Sequence, residues 1–578
     1  MTGRRRRPGP RWPLLRLLLL ALLLAGCGLR APSGVQVPGP VRAEDPQRPG
    51  DVIVLPPGPR PGAGPVDVVE GFLGAQSAPE GRHAIARQFL AAGTRWDDEA
   101  GLEIYDPQTL SVTSAPEDPL TVVVSARVTG SVGSDGAYDD TGHALRETYR
   151  LAVQGRSTVL TGVPQGLRLT PADRDRAVRP TEVYYVARPE GQSSGTSPHL
   201  VADRVFLPAT APLAQELVVR LLRGPSGALA GQVQTAVPTG TGLRGPVTLR
   251  GGTATVDLTG GAQRLDDLGR ARLSAQLVWT LRAAGPEFQR LDLRAGGRPL
   301  AVPGRAELQQ RSDWGEFDPD GLAPQVPAYY VSDRSLQSLD TPPRANALDA
   351  SVPVDAAAVS TSGGQVALLT DTAAGVEVRT GPSGGPYPVR ARAPRLSSPT
   401  WGDAEDGLWL LRAGLPVLVR GDASRRLTVV PLEGPEVPAV ATALRVSRDG
   451  VRVALASGQR LYVGLVERGP TGVRLVQLHR IAGSLSGVRD VAWESGTQLV
   501  VLARAGRQSP LPVRVAVDGS VVAPVARAGL VGVPTALAAA PERPLTIATE
   551  ERGVQRIFRD DGSFFQPRGQ GSAPSYPG

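Results

Sequence analysis

The stretch VRDVAWESGTQLVVLA (residues 488–503) consists of two apolar runs joined by a short polar turn. The same form recurs four more times, in DAAAVSTSGGQVALLT (355–370), LSSPTWGDAEDGLWLL (396–411), LRVSRDGVRVALA (444–456) and PTALAAAPERPLTIAT (534–549). Successive copies are 40, 46, 46 and 47 residues apart, measured between Thr361, Trp401, Ser447, Trp493 and Ala540. A period of roughly 40 to 50 residues with two strong strands per repeat is typical of a β-propeller. We therefore predict a propeller over residues 320–560; a β-sandwich with accidental spacing is the alternative.

The segment before the first repeat, YYVSDRSLQSL (329–339), has the composition of a further strand. We expect it to close the ring of repeats together with the C-terminal part of the chain. Residues 561–578 are predicted to form a flexible tail.

Residues 180–305 predict an α+β sandwich in the order β-α-β-α-β. TEVYYVA (181–187) opens it as a strand, and a helix follows that ends at Gly224 and Pro225. The strand TATVDLTG (253–260) and a second helix come next, and the closing strand lies in FQRLDLRAGGRPL (288–300).

A smaller α+β domain is predicted over residues 66–170. Apolar residues fall at helical spacing in two successive segments, and strand-like runs follow in LTVVVSARVTGSV (120–132) and LRETYRLAVQG (145–155). The helical positions are Val69, Phe72 and Leu73, then Ile85, Phe89 and Leu90. The predicted fold class is thus multidomain, with two α+β domains followed by an all-β C-terminal β-propeller.

The N-terminus has the three parts of a secretory signal. Four arginines at 4–7 precede an apolar run from Leu14 to Ala25, which is too short to span a bilayer core of roughly 30 Å. Leu24, Ala25, Gly26 and Cys27 then resemble the lipobox of bacterial lipoproteins, and Cys27 is the only cysteine in the chain.

That resemblance implies a signal peptide over 1–26 and a lipidated Cys27, an S-diacylglycerol and N-acyl cysteine that anchors the protein on the extracytoplasmic face of the cell membrane. An ordinary signal peptide with a chance cysteine is the alternative. Residues 27–65 are rich in Pro and Gly and are expected to form an extended tether.

The net charge of +8 suggests nucleic-acid binding only until the signal is removed. Six arginines and no acidic residue precede Cys27, which leaves +2 for the chain from Cys27 onward. A nearly neutral mature chain gives no reason to expect a nucleic-acid partner.

Motifs of catalysis are weak, so we predict no catalytic residue, no metal site and no cofactor. The G-x-S-x-G pattern occurs at 191–195 and 381–385, but neither copy has the strand before and the helix after that a nucleophile elbow needs. The histidines lie singly, and paired acids are more typical of turns than of general acid–base chemistry. The tryptophans could be surface contacts or core. These residues are His83, His143, His199 and His479; the pairs Asp97–Asp98, Asp139–Asp140 and Asp266–Asp267; and Asp313, Trp314 and Trp401.

Four motifs between 180 and 305 resemble the GerMN domain of spore-germination and envelope proteins: LLRGPSG (221–227), TAVPTGTGL (235–243), TATVDLTG (253–260) and AQLVWTL (275–281). With the lipobox, VVEGFL and ARQFL before Trp96, and YYVSDRSLQSL before the propeller, the whole chain resembles the LpqB family of actinobacterial lipoproteins.

The resemblance implies a membrane-anchored accessory protein of the MtrA–MtrB two-component system. Such a protein contacts the extracytoplasmic domain of the sensor kinase MtrB and modulates signalling linked to cell-wall homeostasis, cell division and, in some genera, sporulation. A second hypothesis is an envelope hydrolase that acts on glycan or peptide through the propeller channel. Convergent carboxylates at the channel would favour the hydrolase, and a scattered polar rim would favour docking.

Overall fold

The computed structural model describes the following residues: 56–188, 199–209, 211–229, 231–322, 326–339, 352–402, 407–420, 426–469, 472–504 and 509–578. All of them belong to one compact unit of the chain. Three successive regions can be recognised within it, and they are described in chain order.

The N-terminal region packs two helices, α1 (Pro65–Ala75) and α2 (Glu80–Arg87), beside a seven-stranded sheet. Pro65 occupies the first turn of α1, where its missing N–H costs no hydrogen bond, and Val69 and Phe72 of α1 are buried in the core. The sheet order is β6-β5-β3-β1-β7, and β2 and β4 also pair with β3. Its strands are β1 (Leu102–Tyr105), β2 (Ser111–Ala115), β3 (Asp118–Val132), β4 (Tyr138–Asp139), β5 (His143–Gln154), β6 (Ser157–Gly162) and β7 (Leu167–Leu169).

The short helix α3 (Pro171–Ala177) leads into the second region, in which two sheets and two longer helices enclose one core. The first sheet has the order β10-β8-β9, and the second has the order β11-β12-β13-β14, with β15 beside β13. The strands and helices are β8 (Val178–Ala187), β9 (Leu200–Pro208), α4 (Leu213–Leu222), β10 (Val233–Gln234), β11 (Thr248–Arg250), β12 (Thr253–Leu258), α5 (Asp267–Leu281), β13 (Arg290–Ala295), β14 (Arg298–Pro299) and β15 (Leu308–Gln309).

Helix α5 lies at the centre of this second region. The Asp266 carboxylate accepts the Gly269 N–H at 2.8 Å and caps the helix, and every residue from Leu273 to Leu281 is buried. This part of the helix therefore has no face exposed to solvent. The predicted α+β sandwich with its two helices is confirmed.

The third region is the predicted propeller. Five antiparallel sheets of four strands follow one another, and we call them blades 1 to 5. Their strands are β18 (Ala356–Val359), β19 (Gln365–Thr372), β20 (Gly375–Pro382) and β21 (Val389–Ala393); β22 (Leu396–Trp401), β23 (Gly407–Arg412), β24 (Leu415–Arg420) and β25 (Leu427–Val429); β26 (Ala441–Val446), β27 (Arg452–Ser457), β28 (Arg460–Gly469) and β29 (Gly472–Ile481); β30 (Ser486–Ser495), β31 (Gln498–Arg504), β32 (Leu511–Ala516) and β33 (Val522–Pro524); β34 (Val533–Ala538), β35 (Thr546–Glu551), β36 (Val554–Asp560) and β37 (Phe565–Gln570).

A sixth blade closes the ring, as YYVSDRSLQSL predicts. It consists, in the described part of the chain, of β16 (Tyr329–Ser332), β17 (Ser335–Ser338) and the C-terminal strand β38 (Ser572–Ser575). Strand β38 pairs antiparallel with β16, and it completes the ring of innermost strands between β34 and β18.

The prediction of a flexible tail over residues 561–578 is wrong. Strand β37 pairs with β36, and β38 pairs with β16, because both positions complete sheets whose edges are otherwise open. Tyr576 is also buried, and its hydroxyl donates to the Pro544 carbonyl at 2.8 Å.

Candidate functional site: the propeller channel and the domain interface

The predicted anchor, Leu24, Ala25, Gly26 and Cys27, lies outside the described residues. Over the part of the chain that the structure covers, no helix is both long and apolar enough to cross a membrane. The lipidation of Cys27 therefore stays a prediction.

The histidines lie apart from one another. His83 is buried against Trp96, with 5.9 Å between ring centroids, and burial lowers the pKa of its imidazole. His143 lies 3.5 Å from a Glu103 carboxylate oxygen, and His479 contacts its neighbour's carbonyl Gln477 O. No group of three or more His, Cys, Asp or Glu side chains that could hold a metal ion occurs among the described residues.

The paired acids have structural contacts. Asp98 forms an ion pair with Arg87 at 2.6 Å, while Asp97 caps a turn at Glu99 N. Asp139 accepts the Thr141 N–H at 2.8 Å. Each of these carboxylates is committed to a turn or an ion pair, and Asp266 to its helix cap.

The remaining candidates are also structural. The G-x-S-x-G copy at 381–385 forms the turn between β20 and β21, with no helix after it, and the copy at 191–195 lies outside the described residues. Trp314 and Trp401 are both buried, and the indole N–H of Trp401 donates to Ala358 O at 3.1 Å. Asp313 accepts the Gln310 N–H at 2.8 Å. The core alternative for the two tryptophans is thus the one observed.

The innermost strands of the blades surround a channel with a cavity of about 160 Å³. Eight of its twenty lining residues are alanine, so short side chains leave this space open. Ligand pockets for organic molecules usually measure about 300 to 1,000 Å³. A glycan chain or a peptide is therefore too large for the cavity in this structure.

Asp490 is the only side-chain carboxylate among the described residues that line this cavity. One of its oxygens lies 3.6 Å from the Arg445 guanidinium, and the other accepts the Leu537 N–H at 3.0 Å. Burial raises the pKa of Asp490. Glycoside hydrolysis usually requires two carboxylates that flank the scissile bond, and this lining offers one that is already paired.

Arg448 borders both this cavity and a smaller cleft that contains Asp320. The guanidinium donates to three carbonyl oxygens, Pro577 O at 3.0 Å, Trp493 O at 3.3 Å and Ala539 O at 3.4 Å. Burial lowers the pKa of Arg448 to about 10, so the group is still charged at neutral pH. Burial also raises the pKa of Asp320 to about 6.

Polar contacts that the sequence analysis missed join the second region to the propeller. Arg452, which begins β27, donates to Ala202 O of β9 and lies 3.4 Å from Asp449. Arg204 of β9 forms an ion pair with Asp518 at 3.2 Å. The Thr497 hydroxyl donates to the Glu182 carboxylate of β8.

The N-terminal region is attached in the same way. The Asp140 carboxylate accepts the Ala482 N–H of the propeller at 3.0 Å, and burial raises its pKa. Tyr138 packs on Phe206 of β9, with 5.7 Å between ring centroids. Arg174 of α3 donates to Ser520 O at 3.4 Å.

Apolar packing continues across these boundaries. Val451 and Leu465 of the propeller belong to the same buried cluster as the core of the second region, and Phe206 belongs to the N-terminal core. Because apolar packing crosses both boundaries, the three regions form one packed body.

Comparison with family models assigns each region. Residues 58–175 match the model described as "Lipoprotein LpqB, N-terminal domain", residues 182–301 match "Sporulation and spore germination", and residues 335–577 match "Lipoprotein LpqB beta-propeller domain". The class is thus a multidomain lipoprotein with an N-terminal α+β domain, a GerMN-like domain and a C-terminal propeller.

Relatives share this whole arrangement. The chain is 29% identical to lipoprotein LpqB of Thermobifida fusca over 97% of both chains. It is 30% identical to lipoprotein LpqB of Mycobacterium paratuberculosis over 84% of this chain and 86% of the relative. The chain belongs to the LpqB family of lipoproteins.

Two solved structures are similar in parts. TolB from Acinetobacter baumannii is 17% identical, with a TM-score of 0.34 over 43% of this chain and 66% of its own. The first GerMN domain of GerM from Bacillus subtilis is 20% identical, with a TM-score of 0.19 over 23% of this chain and 98% of its own.

Proposed function

We propose that the protein is anchored on the extracytoplasmic face of the cell membrane by lipidated Cys27 and binds the sensor kinase MtrB. In this role it modulates the MtrA–MtrB two-component system and thereby cell-wall homeostasis and cell division. The support is membership of the LpqB family, for which the sequence resemblance implies this partner.

The observation that carries a docking role is the continuous packing of the three regions. A body with shared cores presents its surface in one arrangement, which lowers the entropic cost of binding a partner. The channel offers no pair of convergent carboxylates among its described lining residues. Asp490 is the only carboxylate side chain there, and it forms an ion pair with Arg445. A non-catalytic binding protein therefore accounts for the geometry better than a hydrolase does.

We propose a contact surface on blades 2 and 3, formed by Leu415, Val429 and Val440 and called here the apolar edge. These side chains are 42%, 46% and 54% exposed. Val429 pairs with Val417, two residues from Leu415. Val440 packs at the Gly414 turn, where Ala441 N donates to Gly414 O at 2.9 Å. Exposed apolar side chains that cluster are typical of protein interfaces.

The apolar edge is accessible for a partner because of its place on the blades. Val440 precedes β26, whereas Asp449 and Arg452, which face the GerMN-like domain, follow β26. The two ends of β26, a six-residue strand, are about 20 Å apart. The edge therefore lies at the end of the blade opposite the GerMN-like domain.

The test measures binding of the purified mature chain, without its lipid, to the MtrB extracytoplasmic domain. We expect association at micromolar concentration or below, and at least tenfold weaker binding for Val440→Arg and for Val429→Arg, since a buried arginine at an apolar contact is left without a partner. Val153→Arg is the matched control, because Val153 is 62% exposed on the N-terminal domain.

Absence of any association at micromolar concentration would contradict the proposed partner. Association that is unaffected by both edge variants would keep the partner and reject this surface. Loss of binding in Val153→Arg as well would move the contact to the N-terminal domain.

A further inference from the structure

The channel cavity has an electrostatic feature that the docking role does not use. Arg448 is a desolvated cation that forms no ion pair with a carboxylate side chain of the described residues, although Asp320 of the neighbouring cleft acts on it electrostatically. A guanidinium has five N–H donors. Arg448 uses three of them for the three carbonyl oxygens that it contacts, so the others are available for a further acceptor. Buried charges in proteins are usually paired or neutralised, and no carboxylate side chain of the cavity lining forms an ion pair with Arg448.

A hydroxyl group on the same wall has no hydrogen-bond partner among the described residues. The Ser575 hydroxyl of β38 is buried without a hydrogen bond to any described residue, and Ser575 lines the cavity together with Arg448. Buried hydroxyls nearly always find an acceptor or a donor in the folded protein. The unpaired Ser575 hydroxyl and the Arg448 guanidinium, which has N–H groups to spare, therefore border one cavity.

The rest of the lining limits the size and the character of an occupant. Alanine methyl groups of β18, β30, β34 and β38 make up much of the wall. The volume of about 160 Å³ accommodates a molecule of only a few non-hydrogen atoms. The Arg445 guanidinium is paired with Asp490, whereas Arg448 forms no ion pair inside the cavity and interacts electrostatically with Asp320 of the neighbouring cleft.

We infer that the propeller channel is a binding site for a small organic carboxylate. The carboxylate oxygens accept hydrogen bonds from the spare N–H groups of Arg448 and from the Ser575 hydroxyl, and the short apolar chain lies against the alanines. Hydrogen bonds to a charged acceptor are about twice as strong as neutral ones. The site lies apart from the apolar edge, so it does not depend on the proposed kinase contact.

The experiment is a titration of the mature chain with sodium propionate, followed by calorimetry and by thermal unfolding. We expect saturable heat and a melting temperature that rises with propionate concentration, because a ligand of the folded state stabilises it. Propionamide, which has the same shape without the charge, and sodium chloride at equal ionic strength are expected to give neither effect.

Three variants locate the site. Arg448→Gln removes the cation, Ser575→Ala removes only the hydroxyl, and Ala536→Leu fills the cavity from β34. We expect at least tenfold weaker propionate binding for Arg448→Gln and Ala536→Leu and several-fold weaker binding for Ser575→Ala. Ala523→Leu on the outermost strand of blade 4 is the control and should bind as the parent does.

Some outcomes overturn the inference. They are the absence of saturable binding in the parent protein, equal effects of propionate and propionamide, binding of inorganic phosphate without binding of propionate, and unchanged affinity in both Ser575→Ala and Ala536→Leu. If Arg448→Gln does not fold, the other two variants still decide, since neither alters a charge.

Discussion

Asp320 lies on the segment between the GerMN-like domain and the propeller, and its carboxyl is buried between groups of both. Burial is the main cause of its raised pKa, with Asp318 and Glu182 acting in the same direction; Arg282 and Arg448 act against it. The folded protein therefore holds the Asp320 proton more tightly than the unfolded chain, whose pKa is about 3.9. A single side chain thus makes the stability of this junction depend on pH.

The sign of this dependence follows from proton linkage. A carboxyl with a raised pKa contributes stability that is fully present below about pH 4 and is lost as the pH rises through about 6. The contribution is on the order of 3 kcal/mol. We expect Asp320→Asn to remove it, so that the difference in unfolding free energy between parent and variant changes across this window and is constant above it.

Urea unfolding at a series of pH values measures this difference. Asp333→Asn is the matched control, because Asp333 is an exposed turn residue of β16–β17 and undergoes the same chemical change. A parent–variant difference that is flat from pH 4 to pH 7 would show that Asp320 is not the titrating group.

We predict that lipidation of Cys27 determines where the protein is located. We expect Cys27→Ala to release the protein from membranes and to leave the precursor unlipidated, since two acyl chains are what makes such anchoring stable. Fractionation of cells followed by immunoblotting measures the released share, with Gly28→Ala as the control. A variant that stays on the membrane after normal signal cleavage would rule out the lipid anchor.

At the scale of elements, the inner strands of the propeller could be predicted and the outer strands could not. The two inner strands of each blade are apolar and recur at a constant spacing, as in β30 and β31. Outer strands such as β21 (VRARA) and β33 (VAP) are short and partly exposed, so their composition is that of a loop. The outer strand of a blade is held mainly by backbone hydrogen bonds, so its composition does little to mark it as a strand.

Strand β38 illustrates the same limit. Ser-Ala-Pro-Ser has neither length nor hydrophobicity to mark a strand, yet it is the innermost strand of the sixth blade. Its position follows from ring closure, which is a property of the whole domain rather than of the segment. A local reading of residues 561–578 therefore fails where the reading of YYVSDRSLQSL succeeds.

Ring closure by β38 makes a prediction for this element. We expect a chain that ends at Gln570 to have a free energy of unfolding at least about 3 kcal/mol lower than that of the parent, since it loses the pairing with β16 and the buried Tyr576. Chemical denaturation measures the loss. Tyr576→Phe, which removes the hydrogen bond to Pro544 O, should cost about 1 kcal/mol. A shortened chain as stable as the parent would show that β38 does not hold the ring.

At the scale of the whole molecule, the interface residues could not be recognised in advance. Asp449 and Arg452 lie in SRDGVR, which has the composition of an exposed turn. In the structure both side chains are almost fully buried, at 1% and 5% exposure, because the GerMN-like domain covers this turn. Only the packing of one region on another distinguishes them from the turn residues of the other blades.

We expect the ion pair between Arg452 and Asp449 to determine whether the GerMN-like domain and the propeller unfold together. We expect Arg452→Ala to lower the free energy of unfolding by about 3 to 5 kcal/mol, because it leaves Asp449 buried without its cation. It also removes the hydrogen bond to Ala202 O, so we expect calorimetry to show one transition for the parent and two for the variant.

Arg334→Ala is the matched control, since its ion pair with Asp355 is exposed and should be worth less than about 1 kcal/mol. A single, unshifted transition in Arg452→Ala would mean that the apolar packing of Val451 and Leu465 alone joins the GerMN-like domain to the propeller. A two-step transition in the parent itself would show that the regions unfold independently, which would contradict the close packing on which the docking role rests.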